Sequence, residues 1–320
     1  MQTQQTPART LKDYLGLAAR GFAMGAADVV PGVSGGTMAF ILGIYEELID
    51  SIRVFGMPST FKLLLSFNLK RILAELPWRF LLAVGAGILI AIFSLAGFLE
   101  WMLENRPVLI WSFFLGLVAA SIYTVSRRIK GWNPFLLGAT LVGAIAAYIF
   151  VGLVPVETPD APWFLFLSGV LAICAMILPG ISGSFVLVLL GKYQYVLGAV
   201  NDRNFLILLY VAAGAAVGII TIAQVLGWLF KRYHDPTVAV LIGLMVGSLR
   251  KVWPWKETIQ TITGRHGELI PVEQVNVLPP TLDGEVGLAI ALAIIGFVVV
   301  FAIEYWANRQ AVQREATVVT

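Results

Sequence analysis

Apolar residues in this chain gather into long unbroken blocks and do not alternate with polar ones. Six blocks are long enough to cross a bilayer, which takes about 20 residues as helix: 80–102, 107–126, 133–154, 204–230, 236–253 and 285–306. The nine tryptophans all fall near a predicted end, where interfacial aromatic belts form. Two further apolar stretches, 14–50 and 163–200, are each interrupted in the middle by Pro-Gly. A spanning helix with a broken centre is one reading of these. The better one is a re-entrant hairpin, two half-length helices that meet at depth and return to the same side. Irregular backbone at that depth is tolerated only when buried in protein or lining a wet cavity.

Loop charge orients the blocks. The N-terminal segment and residues 51–79 carry Arg9, Lys12, Arg20, Arg53, Lys62, Lys70, Arg71 and Arg79, so both are predicted cytoplasmic. Arg127, Arg128 and Lys130 put the next basic loop inside, whereas 155–162 has Glu157 and Asp160 without Lys or Arg and is assigned outside. The second hairpin then enters from outside. Lys231 and Arg232 return the chain inside, 254–284 forms an outer loop, and Arg309 and Arg314 put the C-terminus inside. Arg250 and Lys251, near an outer end, are the one discord.

The two hairpins are related. Shifting by 148 superimposes A-D-V-V-P-G-V-S-G (27–35) on A-M-I-L-P-G-I-S-G (175–183), with eight identities across 27–45. Downstream the shift becomes 127, pairing Gly87 with Gly214, Trp101 with Trp228 and Gly116 with Gly243. Each half is therefore a hairpin plus three spans, 1–158 and 159–320. An odd number of spans between the hairpins turns the second half upside down. The predicted fold is thus an all-α polytopic membrane protein with an inverted-topology repeat, an arrangement in which substrate sites lie near the midplane where broken helices meet.

Composition agrees and removes alternatives. Hydrophobic residues are 58% and charged residues 13% of 320 positions, about half the charge of a soluble domain. A net charge of +3 without a basic stripe argues against a nucleic-acid partner. Cys174 is the only cysteine, which leaves no disulfide framework and no cysteine metal site. Met1–Arg20 is polar and lacks the features of a cleavable signal peptide.

The chemistry concentrates at the hairpin tips. Pro31 and Pro179 end the incoming helix. Ser34, Gly35, Gly36 and Thr37, and likewise Ser182, Gly183 and Ser184, begin a new one, with Ser34 and Ser182 as N-caps. Gly32 and Gly180 complete the tips. Free amides at a helix start favour an anion, and glycine lets a ligand approach the backbone. The plainer reading is that these residues only turn the chain and allow close packing; duplication in both halves favours a substrate site. Ionisable groups at membrane depth are functional candidates: Asp28, Lys192 and Arg20 as substrate contacts, and Asp28, Glu46 and Glu47 as proton carriers. Glu46, Glu47 and Arg20 serve equally as interfacial anchors. An enzyme is not expected: His234 and His266 lie in predicted loops, no cluster has metal-ligand spacing, and neither tip serine has a partnered base.

The stretch 27–40 followed by G-I-Y-E-E-L-I (43–49), together with I-L-P-G-I-S-G-S-F (177–185), resembles the paired hallmarks of the polyprenyl-phosphate transporters, formerly domain of unknown function 368. The resemblance covers nearly the whole chain. It implies return of undecaprenyl phosphate, the lipid carrier of cell-wall precursors, from the outer to the cytoplasmic leaflet of the bacterial inner membrane. It carries the family's motif onto Pro31, Gly32, Ser34, Gly35, Gly36, Thr37, Glu46 and Glu47, and onto Pro179, Gly180, Ser182, Gly183 and Ser184. Such a ligand needs an anion cradle and a groove for its isoprenoid chain, which the small-residue faces at Gly85, Gly87, Gly214 and Gly218 would provide. Lys192, Arg20 or Arg53 would neutralise the phosphate. No nucleotide-binding loop is present, so no cofactor is expected and transport would be passive or coupled to a proton or cation. The alternative is a permease for a small soluble anion, and a membrane-embedded lipid phosphatase or transferase is a third reading.

Overall fold

The computed structural model describes residues 9–29, 34–66, 68–263, 269–279, 281 and 283–318. Every apolar block became helix. Block 80–102 is α6 (Trp78–Asn105), 107–126 is α7 (Pro107–Ser126), 133–154 is α8 (Pro134–Phe150), 204–230 is α12 (Phe205–Arg232), 236–253 is α13 (His234–Val252) and 285–306 is α14 (Gly284–Val318). Proline at the first turn starts α7 and α8, where no amide partner is lost. Asn133 and Asn204 cap α8 and α12 by accepting from Leu136 and Ile207 amides. Four of the six helices contain a run long and apolar enough to cross a membrane: Trp78–Leu95, Pro107–Ser126, Phe205–Arg232 and Gly284–Ala302. Of the other two, α8 has 17 residues, and α13 carries Asp235, Arg250 and Lys251 at its ends. The chain is a polytopic helical membrane protein.

Each predicted hairpin contains three helices where two were expected. The first is α1 (Leu11–Val29), α2 (Gly35–Ile41) and α3 (Tyr45–Arg53); the second is α9 (Pro162–Ile177), α10 (Gly183–Leu189) and α11 (Tyr193–Asn201). The returning limb is broken at Gly43 (φ +70°) and Gly191 (φ +62°). At both breaks the glycine amide bonds back three residues, to Phe40 O and Val188 O, and the next amide bonds back five, to Ala39 O and Leu187 O. That is a Schellman cap, whose left-handed residue glycine supplies without strain. At Gly191 the axis turns by 110°. Two short helices, α4 (Pro58–Leu65) and α5 (Leu69–Glu75), occupy the basic segment after the first hairpin. The predicted outer loop at 254–284 holds an antiparallel pair, β1 (Lys256–Thr263) and β2 (Leu269–Asn276), which the apolar-block reading did not anticipate.

Helices pair in matching ways. α1 lies along α6 as α9 lies along α12, and α7 lies along α14 as α13 lies along α8. Glycine permits each approach. A Cβ on Gly21 would come within 2.1 Å of Val84 O, and one on Gly87 within 2.0 Å of Ala18 O. At the shifted positions, Gly169 meets Val211 O at 2.1 Å and Gly214 meets Phe166 O at 1.9 Å. Likewise Gly116 opposes Ala293 O (1.8 Å) and Gly296 opposes Phe113 O (2.1 Å), while Gly243 opposes Thr140 O (2.1 Å) and Gly143 opposes Val240 O (2.5 Å). Gly87, Gly214 and Gly218 are therefore seams between packed helices with no room for a lipid chain, contrary to the sequence expectation. Gly85 faces open space. All seven residues of α2 are buried, which puts it at the centre of the molecule.

Candidate functional site

The two tips meet, and they do so through hydrogen bonds. α9 ends at Ile177, so its last carbonyls have no partner within the helix. Ser34 Oγ donates to Met176 O at 3.0 Å, with Leu178 O at 3.2 Å, and Tyr45 Oη donates to Ile177 O at 3.1 Å. In the other direction, Gly180 N–H donates to Thr37 Oγ1 at 2.9 Å. A Cβ on Gly36 would lie 2.4 Å from Ile177 O, so only glycine allows this spacing. Gly180 has φ +88° and packs against Leu244 O and Ser248 Oγ of α13. Pro31 and Gly32 lie outside the described residues; Pro179 is described, in the turn after α9.

The tips differ in what occupies the helix start. Ser34 caps α2 as predicted, accepting from Gly36 N–H at 3.1 Å, and the Asp28 carboxylate accepts from Gly35 N–H at 2.6 Å. The first tip thus already holds an internal anion. The position matching Asp28 is Met176. Ser182 stands at the N-cap of α10 without making the cap bond; its hydroxyl pairs with Ser184 Oγ at 2.8 Å. Gly183 packs against Ala172 O. Hydroxyls without an acidic neighbour in their own motif therefore mark the second tip.

Asp28 apart, the charged candidates make their contacts away from the tip motifs. Lys192 is buried, and its ammonium donates to Asp160 Oδ1 (2.5 Å) and Thr158 O (2.7 Å) beneath the rings of Phe164 and Tyr195. Glu47 pairs with Arg9 at 2.6 Å and Glu46 contacts His234 Nε2 at 3.3 Å, both at the start of α3. Arg20 lies eight residues before Asp28, about 12 Å along α1. Arg53 Nε donates to Gln224 Oε1. His234 is 14 residues from Ser248, about 21 Å along α13 from the second tip, and His266 lies outside the described residues. Tyr45 was missed as a tip residue, although its identity with Tyr193 in the repeat was a signal.

Beside the first tip runs a groove of about 430 Å³ bounded by α1, α2, α6, α7 and α14. Every residue lining it is apolar, among them Phe22, Ala27, Met38, Leu99 and Phe114.

A helical membrane protein whose broken helices meet in its interior beside an apolar groove belongs, by architecture, with proteins that handle lipids or solutes within the bilayer. Residues 24–270 match the undecaprenyl phosphate translocase-like family, and the chain belongs to that family. A polyprenyl-phosphate transporter of Vibrio cholerae serotype O1 is 41% identical over 303 residues, covering 93% of this chain and 98% of its own. A polyprenyl-phosphate transporter of Staphylococcus aureus is 33% identical over 257 residues, covering 73% and 84%. No solved structure matches.

Proposed function

We propose that this protein returns undecaprenyl phosphate from the outer to the cytoplasmic leaflet of the bacterial inner membrane, with both termini cytoplasmic. The observation that carries this reading is the junction of the two tips beside a wholly apolar groove, polar and apolar surfaces that a ligand with a phosphate head and an isoprenoid tail would use together. Family membership and the names of the two relatives support it. A small soluble anion would have no use for the groove.

The mechanism proposed is alternating access of two inverted halves, 1–158 and 159–320. Element bounds support the repeat: α2 and α10, and α3 and α11, coincide after a shift of 148, and α6 and α12 after a shift of 127. The asymmetry of the tips supports alternation. In this state the first tip is closed, with α2 buried and the Gly35 amide on Asp28, while Ser184 of the second is only partly buried. The phosphate would be held by Ser182, Gly183 and Ser184 here, and by Ser34, Gly35, Gly36 and Thr37 after the exchange. Protonation of Asp28 would remove the charge that strengthens its bond from the Gly35 amide and so loosen the first tip, which makes Asp28 the proposed coupling group, with Glu47 paired to Arg9 and Glu46 in contact with His234.

The test is transport of labelled polyprenyl phosphate in proteoliposomes, with and without a proton gradient, against soluble phosphate uptake. Faster lipid translocation than in protein-free vesicles is expected, slowed by Ser182→Ala with Ser184→Ala. Asp28→Asn, which keeps the acceptor for Gly35, should fold and lose gradient dependence. Soluble phosphate uptake without lipid translocation would refute the reading.

A further inference from the structure

Arg250 and Lys251, discordant with loop charge at the end of α13 assigned outside, do not stand alone. β1 begins at Lys256 and brings a third cation beside them, with Lys256 Nζ donating to Lys251 O at 2.6 Å. All three line one small cavity of about 70 Å³, with Phe185, Gln274 and Asn276. Each cationic head lies over an aromatic ring: Arg250 Cζ 4.5 Å from the Tyr148 centroid, Lys251 Nζ 4.8 Å from Phe185 and Lys256 Nζ 3.9 Å from Trp111. Arg250 also donates to Tyr148 O at 3.0 Å, and Asn276 Nδ2 ties the hairpin to Arg250 O at 2.9 Å. The heads are held in position by carbonyls and rings, which fix geometry without cancelling charge. Among the described residues no carboxylate forms an ion pair with any of the three.

Three partly buried like charges with no ion pair among the described residues are costly, and the cost falls when an anion joins them. Burial, and then the charge of Lys251, push the Lys256 amine down to about 7. The neighbourhood indicates which anion. Phe185, under Lys251, follows Ser184 of the second tip directly, and Gly180 of that tip packs on Ser248, one turn before Lys251. Lys256 and Gln274 also line an adjoining cleft of about 650 Å³ whose walls include Pro107, Trp111, Val277 and Leu278, with Glu257 also lining it. The charged corner thus has Phe185, the residue after the second tip's Ser184, in its wall and shares Lys256 and Gln274 with a largely apolar cleft.

We propose that Arg250, Lys251 and Lys256 form a phosphate-monoester site that receives the headgroup before Ser182 and Ser184 do. The proposal rests on the lipid-phosphate reading above and adds a first station to it. Guanidinium and ammonium donors converging on one cavity match the oxygens of a phosphate monoester.

The purified full-length chain in nanodiscs is titrated with a short-chain prenyl phosphate, with inorganic phosphate and with the matching uncharged prenol. Prenyl phosphate should bind and prenol should not, and K251Q/K256Q should weaken binding about tenfold or more. The charge-keeping K251R/K256R should stay close to the parent. In the unsubstituted chain, prenyl phosphate should slow amine labelling of Lys251 and Lys256, read by mass spectrometry, without any variant having to fold. If inorganic phosphate binds equally and is lost in the same variant, the site takes the free ion; if only prenyl phosphate binds, it takes the lipid headgroup. Both support the site. Unchanged affinity in K251Q/K256Q, or unprotected lysines in a chain that binds prenyl phosphate, overturns it and leaves the transport reading standing. A chain that binds neither phosphate overturns both.

Discussion

Three side-chain oxygens of the first half bond the end of α9 and the turn after it: Ser34 Oγ accepts from its own helix start and donates to Met176 O, Tyr45 Oη donates to Ile177 O, and Thr37 Oγ1 receives the Gly180 amide in return. Removing a buried acceptor costs more than the bond itself contributes, because the donor is left unpaired. Thr37→Val should therefore lower stability by about 1–3 kcal/mol, seen as a drop in melting temperature in detergent, while Thr37→Ser stays near the parent. A valine variant as stable as the parent would argue against this bond. Lys256 offers a pH signature. Its folded amine titrates near 7 against an ordinary 10.5, so between those values the unfolded chain holds a proton that the folded chain has released. The cost of this lysine is full below pH 7 and shrinks as pH rises through that window. Its acylation rate should have a midpoint near 7, and a midpoint near 10.5 would contradict the assignment. The motif made Ser34 and Thr37 legible from sequence. The pairing of Lys192 with Asp160 was not, because nothing in spacing says that the 155–162 loop folds over the start of α11.

At the scale of elements, hydropathy located all six long helices, four of them with a run long and apolar enough to cross a membrane, because a lipid-facing helix must be apolar along its length, whatever its neighbours. It located the breaks less well. Gly43 and Gly191 sit inside apolar runs, and only the left-handed backbone they adopt reveals that the returning limb turns. The β1–β2 hairpin was invisible to a reading that sorted 254–284 by polarity alone. Glycine seams carry the packing prediction. Gly214→Ala places a methyl 1.9 Å from Phe166 O and should separate α9 from α12, reducing the yield of monodisperse protein in size-exclusion chromatography. Gly85→Ala meets nothing within 4 Å and should leave that yield unchanged or slightly raised. Equal behaviour of the two would remove the distinction between seam and open glycine.

For the whole molecule, the repeat was readable because two unrelated segments have no reason to share eight of 19 positions. Sequence shows Met176 where the first half has Asp28, but it could not supply what that difference does: Asp28 accepts from the α2 start, and α2 is wholly buried while α10 is not. If transport exchanges these roles, tethering the tips must stop it. In a Cys174→Ala background, a short cleavable thiol cross-link between Ser34→Cys and Leu178→Cys should abolish lipid translocation in proteoliposomes, and cleavage should restore it. Undiminished transport by the cross-linked protein would count against alternating access at this junction.

The contact between α2 and the end of α9 also has a consequence for biogenesis. The partners of Ser34 are synthesised 142 residues after it, which at ~5–20 residues per second is a delay of about 7–30 s. Throughout that interval the nascent first hairpin has polar groups at its tip whose permanent acceptors have not left the ribosome. Its final seating is therefore post-translational with respect to the first half, and a chain interrupted before residue 176 would hold an unfinished hairpin for membrane quality control to remove.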